Sequence, residues 1–239
     1  MKLTHIAEYE RRGLDAKGIK RLATLGEMLL TAGFNVTGIQ EPEQIERMHF
    51  LDSLSLLDVS VITSACQAVD IGSGAGLPAL VLALALPSLE VTALEANQKK
   101  CHFIERAAQA LGLLNVRVCC ERAEEHGRGS FRGGYDVAIS RALATLPVVA
   151  EYSLPLLKEH GYMVAMKGAV SDQERIQGQR ALDILGGGAL EALRLEPFPG
   201  AENRWVYIVK KVASTPGRYP RRPGMPSKRP VGGAREQPG

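Results

Sequence analysis

The 239-residue chain has little sulfur and few rings: four cysteines, one tryptophan, and aromatic residues at 5% of the total. Cys66, Cys101, Cys119 and Cys120 form no C-x-x-C pair and have no histidine partners at zinc-like spacing. The sequence therefore predicts reduced, mostly buried thiols, with neither a disulfide framework nor a metal site. No run approaches the roughly 18 apolar residues needed to cross a bilayer, and the start, MKLTHIAEYERRG, lacks the apolar core of a secretory signal. The expectation is a soluble, cytoplasmic protein with no membrane partner. No internal repeat is visible.

What is present suits a globular enzyme or binding protein. A chain 45% hydrophobic and 23% charged can bury the core of one α/β domain and still carry an appendage. The net charge of +3 hides an asymmetry, because residues 214–239 hold six Arg or Lys against one Glu; the remainder is about −2. This stretch is rich in Pro and Gly and poor in apolar residues, a composition that predicts an extended or disordered tail. Arg221, Arg222 and Tyr219 make phosphate contact one reading of it, and a solubilising tail the other.

Three segments follow from the patterning. Residues 1–62 read as a helical cap, in which Leu22, Leu25, Met28, Leu29 and Ala32 recur at helical spacing before Gly33, and Asn35 to Gly38 form a loop. A second helix starts after Glu41-Pro42 and continues through Leu57. Residues 63–213 alternate short apolar runs with helices, the pattern of a parallel sheet wound by crossover helices. Strands are expected at 67–71, 90–94, 116–120, 135–140 and 162–166, with Pro78 at the first position of a helix over 79–86. Further helices are expected at 97–111, 146–157 and 173–185. The last two strands, 190–195 and 204–212, lack an intervening helix and suggest an antiparallel hairpin closing the sheet. Residues 214–239 form the tail.

The run from Val69 to Pro78 places Gly72, Gly74 and Gly76 between a strand and a helix. There a backbone can turn sharply and approach a ligand without side chains in the way. Dinucleotide binders space their glycines G-x-G-x-x-G, and Leu77 breaks that register. S-adenosylmethionine, which has no phosphate, fits a G-x-G-x-G loop better. Glu95 closes the second strand, where a carboxylate can accept hydrogen bonds from two ribose hydroxyls; the alternative is an exposed strand-end acid. Ala123 and Glu124 follow the third strand, where a short loop would border the adenine. Arg141, Lys167 and Arg204 fall at strand ends or starts, either as phosphate or base contacts or as solvated surface cations. His49 and Asp52 sit three apart on one helix, read as a structural pair in preference to a catalytic one.

Taken together, Arg47 to Leu54, Asp70 to Pro78, Asp136 to Ala142, Met166 to Gly168, Arg204 to Lys211 and Thr215 to Gly224 resemble the bacterial small-subunit (16S) ribosomal RNA guanine-N7 methyltransferases, the glucose-inhibited division protein B family. Two positions depart from its pattern: Ala79 stands where the family often has glycine, and the stretch Gly33 to Thr37 replaces its usual Trp-Asn. The resemblance implies a class I, Rossmann-like S-adenosylmethionine-dependent methyltransferase. The expected cofactor contacts are Asp70, Gly72, Gly74, Gly76, Leu77, Glu95, Ala96, Asn97, Ala123, Glu124 and Arg141. Arg141, Lys167, Arg204, Arg221 and Arg222 are expected to meet RNA. The partner implied is small-subunit ribosomal RNA, bare or as a ribonucleoprotein, and the protein is expected to be a monomer.

The residues around strand four sharpen the chemistry. Ile139-Ser140-Arg141-Ala142 lacks the Asn or Asp followed by Pro-Pro and an aromatic that amine methylases show, and lacks a cysteine nucleophile. Guanine N7 has a free lone pair, so no catalytic base is expected. The other readings are a small-molecule methylase, a nicotinamide-dependent oxidoreductase disfavoured by the glycine spacing, and a non-catalytic RNA-binding assembly factor.

Overall fold

A computed structural model describes residues 1–34 and 36–233; Asn35 of the expected loop and residues 234–239 of the expected tail lie outside the described residues. The chain begins with α1 (Ile6–Arg11) and α2 (Ala16–Leu30). Asp15 caps α2 by accepting the Gly18 N–H at 2.7 Å. The helix ends at Leu30, three residues before Gly33.

The next helical run is less regular than its apolar spacing implies. It starts as α3 (Pro42–Ile45), widens into a π turn over Glu46–Leu51, returns as α4 (Asp52–Leu54), and tightens to a 3₁₀ turn over Ser55–Asp58 before α5 (Ser60–Thr63). Wide turns of this kind re-aim side chains and are common at functional sites. Here the π turn carries Met48 and His49 and leads directly into Asp52.

From residue 67 the alternation of strand and helix is regular: β1 (Gln67–Ile71), α6 (Ala79–Ala85), β2 (Glu90–Leu94), α7 (Gln98–Leu111), β3 (Val116–Cys119), α8 (Ala123–His126), β4 (Tyr135–Arg141), α9 (Leu146–Ser153), β5 (Leu157–Lys167), α10 (Asp172–Leu185), β6 (Glu191–Arg194) and β7 (Trp205–Lys210). The seven strands lie in the order β3-β2-β1-β4-β5-β7-β6. The first five are parallel, and β7 pairs antiparallel with both β5 and β6, closing the sheet with the expected hairpin. Pro78 caps α6 from outside, and the helix starts at Ala79. Helix α9 is shorter than expected: Pro155 has no N–H to continue the ladder, and the chain turns into β5 at Leu157.

Two apolar cores form on the two faces of the sheet, because successive strand residues point to opposite sides. Val137 and Ile139 face α2, α4, α6 and α7, and Ala138 faces α9 and α10. Helix α6 is buried on every side, from Ala79 through Leu84, because it lies between the sheet and the N-terminal helices.

Residues 214–233 correct the expectation of an extended tail. Arg132 donates to the carbonyls of Tyr219 and Thr215 at 2.6 and 2.8 Å, and Arg128 donates to that of Pro220 at 2.8 Å. Tyr219 and Val231 enter the second core, and a short helix, α11 (Met225–Lys228), sits against α9. Few apolar side chains suffice because arginines elsewhere in the fold satisfy the segment's backbone.

The thiols also differ from expectation. Cys101 in the first turn of α7 and Cys120 just after β3 form a disulfide, their Cα atoms 5.9 Å apart, and Cys66 is exposed. The crossover from β2 through α7 to β3 brings the pair together, a proximity that spacing along the chain does not show.

Candidate functional site

All five parallel strands point their carboxyl ends at one edge of the sheet, and β1 and β4 are neighbours whose connections leave in opposite directions. In such sheets ligands bind at that switch point. Two cavities open there, of about 340 and 310 Å³.

The first cavity lies over the ends of β1 and β2. Gly72, Gly74 and Gly76 have φ of +71°, +61° and +78°, left-handed values that L side chains rarely adopt. The loop is pinned to β2 by the Gly72 and Ser73 N–H groups, both donating to the Leu94 carbonyl. Each glycine serves differently. A Cβ on Gly76 would strike Leu80 of α6 at 2.6 Å, so Gly76 permits helix packing. A Cβ on Gly74 would meet only the Gly72 carbonyl at 3.9 Å and otherwise open space.

Asp70, beneath the loop, is a strut. Its Oδ2 accepts from Ser73 Oγ at 2.6 Å and from the Ala79 N–H at 3.2 Å, and its Oδ1 is buried without a hydrogen-bond partner. Burial pushes its carboxyl up to about 6. Leu77 is buried in the first core and is not at the cavity wall.

Glu95 lines the cavity. Its Oε2 accepts the Gly74 N–H at 2.9 Å and its Oε1 the Asn97 N–H at 2.8 Å, so one carboxylate joins the glycine loop to the start of α7. Asn97 in turn caps α7 by accepting from Lys99 and Lys100. Ala96 and Ala123 line the wall. Glu124 does too, although it stands in the helix α8 where a loop was expected, and its Oε1 accepts the Gly224 N–H at 2.8 Å.

Sequence reasoning missed the other wall residues, among them Lys100, Tyr152 and Ser227. Lys100, one turn beyond Asn97, could have been found by helical spacing. Nothing in the sequence ties Tyr152 to Ser227, whose hydroxyls lie 3.2 Å apart.

The second cavity lies over β4, β5 and β7. Arg141 belongs here: its NH1 donates to the Met48 carbonyl at 3.1 Å and stands 3.6 Å from Asp52 Oδ2. Arg204 Nε lies 3.1 Å from Asp52 Oδ1. That contact is an ion pair without hydrogen-bond alignment, and the buried Nε has no hydrogen-bond partner. Burial raises the Asp52 carboxyl above its ordinary range, against the pull of both arginines. His49 and Asp52 do not form the expected pair. His49 Nε2 meets Thr37 Oγ1 at 2.6 Å, and burial, with Arg141 nearby, lowers the imidazole to about 4.

Lys167 lines the same cavity, with its Nζ 3.2 Å from Glu174 and donating to the Ala144 carbonyl. Ser140, near the end of β4, is buried. Arg221 and Arg222 lie in the C-terminal segment. Arg221 forms an ion pair with the fully buried Glu151 at 2.6 Å, and Arg222 is exposed.

Only four residues separate the cavities. Arg141 and Ala142 face the second and Leu143 and Ala144 the first. Ala142 takes φ +49°, a strained value for a residue with a Cβ, at this shared wall.

The family described as rRNA small subunit methyltransferase G matches residues 19–196. A protein of that name from Rubrobacter xylanophilus is 42% identical over 235 residues, covering 93% of this chain and 90% of its own. The chain belongs to this family. Another member, from Chloroflexus aggregans, is 44% identical and covers 83% of each chain. Among solved structures, an O-methyltransferase from Bacillus cereus in complex with SAH has a TM-score of 0.54 at 18% identity, covering 84% of this chain and 92% of its own. An S-adenosylmethionine-dependent O-methyltransferase from Thermotoga maritima has the same TM-score, covering 80% and 72%. At these identities the likeness is one of fold, and the family's fold is that of the S-adenosylmethionine-dependent methyltransferases.

The cluster Cys119, Glu121 and His126, whose ligand-type atoms lie within 4.8 Å of one another, shares Glu121 with the wall of the first cavity. Its histidine is engaged within the fold, through Glu121 at 2.6 Å and the Tyr135 hydroxyl at 2.8 Å.

Proposed function

We propose that this chain transfers a methyl group from S-adenosylmethionine to N7 of a guanine in small-subunit ribosomal RNA. The reading rests on family membership over nearly the whole chain, together with a glycine-loop cavity and a basic-rimmed cavity separated by Arg141 to Ala144. The donor set fits the cofactor. Gly74 leaves an open backbone approach, and Glu95 presents a carboxylate at the end of β2 to accept from ribose hydroxyls. Ala123 and Glu124 border the place for the adenine, and Asp70 keeps the loop in shape from below. When bound, the cofactor supplies an electrophilic methyl group on a sulfonium.

The chain's part is alignment and exclusion of water. N7 carries its own lone pair, so no residue is asked to remove a proton from the acceptor. Rate then derives from orientation and from stabilising the positive charge that moves onto the base. Arg141, Lys167 and Arg204 stand at the acceptor cavity, and Arg222 with the other basic residues of the C-terminal segment offers sites for phosphates. The protein acts as a cytoplasmic monomer on RNA held in a ribonucleoprotein or an assembled subunit.

The test is mass spectrometry of small-subunit RNA nucleosides from cells with and without the gene. Loss of one N7-methylguanosine, restored by the purified protein with S-adenosylmethionine, is expected. An unchanged nucleoside profile overturns the assignment of substrate.

A further inference from the structure

Resting on that reading, we infer that Asp52 is the residue that selects guanine, accepting hydrogen bonds from the N1–H and N2 amino group of the target base in the second cavity. Asp52 lies only 7% exposed in the cavity wall, at the end of the π turn that also places Met48 and His49 there. It is the one carboxylate among the residues lining this cavity, in surroundings otherwise basic or apolar. Two guanidinium groups flank it, yet one of the two contacts is 3.6 Å long and the other lacks hydrogen-bond alignment. Each oxygen therefore keeps accepting capacity. A buried carboxylate left in that state fits a partner with two parallel donors.

Guanine supplies them. Its N1–H and N2 amino group lie side by side on one edge, and N7 lies across the purine from that edge. A carboxylate holding the first edge leaves N7 unobstructed. Adenine has an acceptor at N1 and is repelled, and pyrimidines do not offer the same pair of donors. Methylation at N7 also places positive charge on the purine, which strengthens the hydrogen bonds it donates from N1 and N2. The contact to Asp52 is then tighter in the transition state than in the ground state, the condition for a contact that raises rate. No proton has to change hands for this.

The rival role for Asp52 is to hold Arg141 and Arg204 in place. The two roles separate on a base that lacks the N2 amino group. Once the methylated guanine is mapped, small-subunit particles are reconstituted with either guanosine or inosine at that position, and kcat/KM is measured for each. The wild-type protein should favour guanosine by about 10-fold or more, the worth of one hydrogen bond to a charged acceptor. Asp52→Asn should lower activity and bring the ratio to within about 3-fold of one, and Asp52→Glu should recover part of the preference.

A wild-type ratio near one overturns the inference, and that measurement needs no variant to fold. So does an Asp52→Asn protein that loses activity equally on both RNAs, which is what a positioning role produces. Absence of any N7-methylguanosine from the wild-type reaction is a different result: it fails the functional reading itself.

Discussion

His49 and Asp70 have opposite effects on stability across the same pH range. His49 is held near 4 in the folded protein against 6.5 for the free group, so its contribution is present above pH 6.5 and is lost as the pH falls toward 4. Asp70 is raised to about 6 from 3.8, so its contribution is present below 3.8 and is lost as the pH rises through 6. Each is worth on the order of 3 kcal/mol, and between pH 4 and 6 they largely cancel. Urea denaturation across that window should show a nearly flat wild-type profile from this pair. His49→Gln should leave stability falling as pH rises, and Asp70→Asn should leave it falling as pH drops. At this scale the sequence showed Glu95 and the glycines through their spacing. The division of labour within the loop, with Gly74 facing the cavity and Gly76 packed on Leu80, depends on where α6 lies.

Among the elements, the C-terminal segment departs most from its composition. Its anchor is the pair Arg221–Glu151, in which Glu151 is fully buried and accepts from both the backbone and the guanidinium of Arg221. Breaking such a pair strands a charge in the core. Arg221→Met should cost about 3–5 kcal/mol in unfolding free energy, and the double variant with Glu151→Leu should recover most of it. Thermal unfolding of the three proteins checks this. Four of the five parallel strands were legible to within a residue because each is a short apolar run bounded by glycine, asparagine or charge. In contrast, β5 starts at Leu157, five residues before the expected 162, in an apolar stretch that the periodicity assigned to the preceding helix. The run from Pro42 to Asp58 was not legible in this way. Its apolar spacing fits one helix, while the chain widens at Glu46–Leu51, between α3 packed on α2 and α4 packed on α6, and tightens at Ser55–Asp58.

For the whole molecule, the two cavities share one thin wall, so binding on either side can be disturbed separately. Ser227→Trp puts bulk into the first cavity from its exposed rim, and Ile39→Trp does the same in the second. Calorimetry with S-adenosylmethionine should show affinity reduced about 10-fold or more by Ser227→Trp and unchanged by Ile39→Trp. Methylation of RNA should fall in both. Equal affinities in the two variants would mean that the first cavity is not where the cofactor lies.

Alone, the sequence determined the sheet, its closing hairpin, the glycine loop and the acid after it, because these depend on local periodicity and on residues few backbones can do without. It also determined the family, through motifs spread over most of the chain. Tertiary structure decided what joins across long separations: the bridge from Cys101 to Cys120, the wrapping of residues 214–233, and the meeting of Asp52 with Arg141 and Arg204. Such contacts are set by how the layers stack, and no spacing along a chain encodes which strand end will face which helix.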